Sequence, residues 1–198
     1  MLIGMISNIF AHFISIILGP FVWGPILIIL IILHTNLSTS QIHILLPFLL
    51  IFQVGIPLLL LLFAYKFKKI SDLDLSKREE RIIPIIIIFV SLLISVLIIK
   101  LYGSLTLLRI YLFFILFLSI NGLITLFWKI SFHMAINVAG SLFINFLYDW
   151  KFPILYLSIP LIYWSRLKLK KHTRAQLIAA LIVNSLMIFL FLKGFRYL

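Results

Sequence analysis

Long apolar runs constrain this chain more than any other feature. Residues 19–33, 44–65 and 82–99 contain no charged side chain. A spanning helix needs about 20 mostly apolar residues, and runs of that kind fill most of the sequence. Of 198 residues, 64% are hydrophobic and only 11% charged. That leaves too little polar surface to cover a water-soluble globule, and far too much apolar surface for a disordered chain. The runs are continuous rather than alternating, which excludes outer-membrane strands. The sequence therefore predicts an all-α, polytopic transmembrane helical bundle, with 1–198 forming one integral membrane domain.

Seven spans are expected, or six if the first helix lies in the interface. Ser7, Asn8, His12 and Ser15 interrupt the first apolar stretch, 1–18. Gly19-Pro20 and Gly24-Pro25 should break or kink the helix there, and the first span then runs to about residue 33. The others are read as about 44–65, 82–99, 107–127, 131–148, 152–164 and 175–192. Pro47 and Pro57 are tolerated kinks, and Pro84 falls in a first turn, where proline costs little. The N-terminus has no basic segment before its apolar run and does not read as a cleavable signal peptide. The absence of cysteine removes disulfides and thiolate chemistry.

The net charge of +12 does not point to nucleic acid. The basic residues cluster in loops between apolar runs, where charge sets topology and attracts anionic headgroups. Three polar clusters stand out. The first, in 66–81, contains Lys77, Arg78 and Arg81. The second is Lys129-Ile-Ser131-Phe-His133. The third is Ser165-Arg166, five residues, His172, three residues, Gln176. Two spans separate the first cluster from the second, and two more separate the second from the third. An even number of crossings returns the chain to one face, so all three are expected on the same side. The opposite side would keep Lys100, Arg109, Lys151, Lys193 and Arg196, which weakly favours a cytoplasmic position for the clusters.

These residues suit phosphate chemistry. Guanidinium forks match phosphate oxygens, and a helix N-terminus at Ser131–His133 would offer backbone N–H groups to an anion. Histidine serves as nucleophile or proton donor near neutral pH. His172 and Gln176 are four apart, so on a helix they share a face. The amide oxygen would then hold one ring nitrogen and leave the other to attack.

The third cluster resembles the Ser-Arg-x5-His-x3-Asp signature of the type-2 phosphatidic acid phosphatase superfamily. Ile130-Ser131-Phe132-His133 resembles its Pro-Ser-Gly-His signature, and Lys77-Arg-Glu-Glu-Arg81-Ile-Ile-Pro84 loosely resembles its Lys-x6-Arg-Pro. The resemblance covers about 66–180, a phosphatase-like core. It implies a helical membrane bundle that removes phosphate from a lipid through a phosphohistidine, without metal or other cofactor. It makes His172 the nucleophile and His133 the acid that protonates the leaving alkoxide. Gln176 would orient His172, while Arg166, Ser131, Arg81, Arg78 and Lys77 would hold the phosphoryl oxygens. Gln176 stands where the family has Asp, Phe132 where it has Gly, and Pro84 in the slot for Arg. A neutral amide stabilises an imidazolium less than a carboxylate does.

Two other readings stay open. One is a non-catalytic relative that binds a lipid phosphate. The other is a prenyltransferase-like membrane enzyme, because Ser71-Asp72-Leu73-Asp74 faintly resembles a diphosphate-binding loop. Asn121, Asn137, Asn145 and Asn184 are expected to hydrogen-bond between helices. His12, His34 and His43 read as structural or interfacial.

Overall fold

The computed structural model describes residues 2–196. Every regular element among them is helical. Five helices are long and apolar enough to cross a membrane: Met5–His34, Thr39–Lys66, Glu79–Tyr102, Leu105–Phe127 and Arg174–Gly194. Large side chains such as Ile83, Leu97 and Phe189 are more than half exposed. Apolar exposure on that scale fits contact with lipid rather than water. The described residues fit an integral membrane protein. Their contacts divide into two compact units, Met1–Leu27 with Ile130–Leu198, and Ile28–Lys129.

The chain begins with α1 (Leu2–Ile17) and α2 (Pro20–His34). The break expected at Gly19-Pro20 is there. Proline has no N–H to continue the ladder. A Cβ on Gly19 would lie 2.9 Å from the Ser15 carbonyl oxygen and 3.0 Å from that of Ile16. By contrast Pro25 is accommodated inside α2. One face of α1 is buried in protein. Ala11, Ile14 and Ser15 are buried, whereas Ile9, Phe13 and Ile16 are exposed. Positions 11, 14 and 15 make one helical face, so Ser15 points into protein while the bulky apolar groups point out. That is the arrangement a hydrocarbon solvent favours.

In the Ile28–Lys129 unit, α3 (Thr39–Leu50) starts with a capping box. Ser38 Oγ accepts from Gln41 N, and the Gln41 side chain accepts from Ser38 N. A π-helical turn, Ile51–Gly55, joins it to α4 (Ile56–Lys66). Pro57 explains the turn. Its ring would press on the carbonyl four residues back, and it has no N–H to offer that oxygen. Widening the helix, with Ile56 N donating to Ile51 O, makes the room. Gln53, inside the widened turn, donates to Ser95 Oγ at 2.7 Å. The next two helices, α5 (Ile82–Tyr102) and α6 (Leu105–Phe127), pack side by side. Ser104 caps α6 by accepting from Leu107 N.

The other unit pairs α1 with α7 (Phe132–Leu147), α8 (Ser158–Lys168) and α9 (Arg174–Arg196). α7 packs on α8 and on α9, and α1 packs on α8. The connections are short, so α8 runs back along α7, and the chain then turns again so that α9 packs on α7. The N-terminus of α7, the C-terminus of α8 and the N-terminus of α9 therefore share one end of this unit. At the opposite end Asn145 ties the turn after α7. Its Nδ2 donates to Phe152 O and its Oδ1 accepts from Phe152 N. Asn121 and Asn184 each donate from Nδ2 to a carbonyl four residues back in their own helix.

Candidate functional site

Ser131 is the N-cap of α7. Its backbone is extended, and its Oγ accepts from Met134 N at 3.3 Å. It is fully buried. The cap uses an oxygen lone pair, so the hydroxyl keeps its proton to donate. His133 follows in the first turn of α7. Its carbonyl accepts from Asn137 Nδ2 at 2.7 Å. The same Nδ2 donates to Leu18 O at 2.7 Å, which binds the end of α1 to the first turn of α7. Both Asn137 N–H groups are thereby used, which fixes the amide's orientation. Its Oδ1 is buried and accepts no hydrogen bond. The His133 ring faces the α1–α2 turn, since a Cβ on Gly19 would come within 3.5 Å of its Nε2.

Arg166 lies in the last turn of α8 and is only 1% exposed. Burying a guanidinium is costly unless its N–H groups are matched. Here Nη1 donates to Ser15 Oγ of α1 at 2.7 Å, the short end of charge-assisted bonds. Ser165, one residue earlier, donates to Ala11 O at 2.7 Å. The serine of the Ser-Arg pair thus fastens α8 to α1. His133 and Arg166 both meet the stretch of α1 and its turn between Ser15 and Gly19.

After α8 the chain closes a tight loop. Leu169 N donates to Ser165 O, Lys170 N to Leu167 O and Lys171 N to Arg166 O, with Lys170 left-handed at φ 53°. His172 comes next and is 7% exposed. Its Nδ1 lies 3.2 Å from Gln176 Oε1. The contact expected from their spacing is present, but its cause is different. His172 precedes the helix, and Thr173 is the N-cap of α9. Gln176 N donates to Thr173 Oγ1 at 3.3 Å, and Gln176 Oε1 accepts from Thr173 N at 3.1 Å. This is a capping box, and its glutamine oxygen also reaches the histidine. An acceptor at Nδ1 favours the tautomer with the proton there, which puts the ring's lone pair on Nε2.

The first-cluster cations lie in the Ile28–Lys129 unit and have local partners. Lys77 Nζ is 3.6 Å from Glu80 Oε1, and Arg78 Nη2 is 3.5 Å from Glu79 Oε1. Arg78 Nη1 also donates to Phe127 O at 2.9 Å. Arg81, 5% exposed, donates from Nε to Leu75 O at 2.8 Å. The other five predicted site residues, Ser131, His133, Arg166, His172 and Gln176, belong to one unit. Ser15, Gly19, Asn137 and Thr173 complete their surroundings. Of these, Asn137 was expected to bond between helices, as it does to Leu18, and Thr173 had the Thr-x-x-Gln capping pattern before an apolar run. Among the described residues, no group of three His, Cys, Asp or Glu side chains is placed to hold a metal ion. No family model, curated protein or solved structure matches the chain.

Proposed function

We propose that this chain is a membrane phosphatase that hydrolyses a lipid phosphate or diphosphate through a phosphohistidine. The observation that carries the reading is the Gln176 oxygen 3.2 Å from His172 Nδ1, at the end of the unit that also holds Arg166 and Ser131–His133. An imidazole whose Nδ1–H is held by an acceptor keeps its lone pair on Nε2, the form a nucleophile needs. In the first step His172 Nε2 attacks phosphorus and the bond to the lipid oxygen breaks, while His133 gives its proton to the departing alkoxide. In the second, His133 takes a proton from water, the hydroxide attacks the phosphohistidine, and inorganic phosphate leaves. Arg166 and the Ser131 hydroxyl bind phosphoryl oxygens. For Lys77, Arg78 and Arg81 a phosphate-binding role rests on the sequence resemblance alone.

The membrane topology belongs to the same proposal. Beside the five long helices, Phe132–Leu147 has 16 residues, about 24 Å of helix. The 3-10 turn Pro153–Leu157 and α8, with 5 and 11 residues, together reach about 26 Å. Each comes close to a hydrocarbon core of about 30 Å. Counting both gives seven spans, or six if α1 and α2 do not cross. We infer a cytoplasmic position for the polar clusters from the distribution of basic residues along the sequence.

The purified protein should release phosphate from phosphatidate, phosphatidylglycerophosphate or a polyprenyl phosphate, and His172→Ala should abolish that release. Equal release by His172→Ala and wild type would end the proposed mechanism. A second reading, a non-catalytic binder of lipid phosphate, is favoured by one observation: Gln176 is already accounted for as a helix cap. Lipid-phosphate binding without turnover would select it.

A further inference from the structure

The loop between α4 and α5 encloses an open pocket of about 670 Å³, with Lys66, Lys68, Lys69, Ser71, Lys77 and Glu80 in its wall. The volume falls within the range of small-ligand sites. The wall has four ammonium groups and one carboxylate, and that carboxylate is engaged. Glu80 Oε2 accepts from Ser71 N at 3.1 Å and from Ser71 Oγ at 2.9 Å, while Oε1 faces Lys77. Glu80 thus staples the two ends of the loop. The loop's ion pairs, Lys77–Glu80 and Arg78–Glu79, involve none of Lys66, Lys68 and Lys69. Those three exposed cations converge on one concavity, at the end of an apolar helix.

The backbone fixes where one of these lysines stands. Lys68 N donates to Tyr65 O and Lys69 N to Ala64 O, closing the end of α4. This closure calls for a left-handed residue, normally glycine. Here it is Lys68, at φ 55°. The same closure ends α8, with Lys170 in the same role, so Lys66-Phe-Lys-Lys69 and Lys168-Leu-Lys-Lys171 are one motif used twice. Lys68 thus sets its charge on the pocket wall from a position where glycine would be relaxed. Tyr65 and Phe67, both exposed, flank the pocket as interfacial anchors do.

We infer that this pocket is a seat for the phosphate of an anionic membrane lipid, held by Lys66, Lys68 and Lys69. Ammonium groups act as point charges and accept a phosphodiester or a monoester without a fixed fork geometry. The inference asks for binding rather than turnover, so it stands apart from the phosphatase reading. The test is native mass spectrometry of the full-length protein, equilibrated in separate arms with phosphatidylglycerol, phosphatidylcholine and inorganic phosphate. Phosphatidylglycerol should be retained over phosphatidylcholine. Each lysine changed to glutamine should weaken retention about fivefold, and the triple variant roughly a hundredfold.

Lys68→Gly separates charge from folding. It relaxes the turn and should leave the melting temperature unchanged or higher, yet weaken lipid retention about fivefold. Competition by millimolar inorganic phosphate would identify the phosphoryl group alone as the recognised element. Lipid loss in the lysine variants without such competition would identify the whole headgroup at the membrane surface. Equal retention of the two lipids, or wild-type retention by Lys68→Gly and the triple variant, would overturn the inference.

Discussion

Ser15→Ala should destabilise this protein more than most changes to a small polar residue. Arg166 is 1% exposed, and its Nη1 donates to Ser15 Oγ at 2.7 Å. A hydrogen bond to a charged group is worth about 1.5–3 kcal/mol. At about 2–4 °C per kcal/mol for a chain of this size, the melting temperature should fall by about 3–12 °C. Far-UV circular dichroism in detergent micelles measures it. Ser15→Thr keeps the hydroxyl and should recover at least half of the loss. Arg166→Met removes the cation itself, so no buried charge is stranded, and it should cost less than Ser15→Ala or even stabilise. A Ser15→Ala protein that melts with wild type would refute the claim that this serine holds the guanidinium.

Three further outcomes are expected from the same geometry. Thr173→Ala removes the acceptor for Gln176 N and should cost about 0.5–2 kcal/mol, read as faster amide exchange in the first turn of α9. Gly19→Ala forces a methyl against the Ser15 and Ile16 carbonyls and close to His133. It should lower stability by about 1–3 kcal/mol and shift the His133 ring signals in an NMR spectrum. Lys170→Gly relieves a left-handed lysine and should raise stability by about 1 kcal/mol, seen as a higher unfolding midpoint.

Much of the helical layout was legible because lipid imposes a simple rule, long apolar runs bounded by polar loops. α5 begins at Ile82 and α6 ends at Phe127, as the hydropathy pattern predicts. The site was legible only where partners lie close in sequence. The spacing of His172 and Gln176 announced their contact, although a capping box makes it rather than a shared helical face. Nothing local reveals that Ser15 would meet Arg166 or that Leu18 would meet Asn137. Those pairs lie 151 and 119 positions apart. A serine within an apolar helix looks the same whether it faces water, lipid or a guanidinium. The π-helical turn was equally hidden: Pro47 and Pro57 announce a disturbance, but not which way the ladder yields.

One oxygen atom at Gln176 serves two clients, the first amide of the last helix and the imidazole beside it. Fraying of that single turn would set the ring loose to exchange protons between its two nitrogens. Anything that tightens or loosens the last helix, a change in bilayer thickness included, would therefore be felt at His172 as a change in the ring's tautomer and orientation without any residue near it being touched.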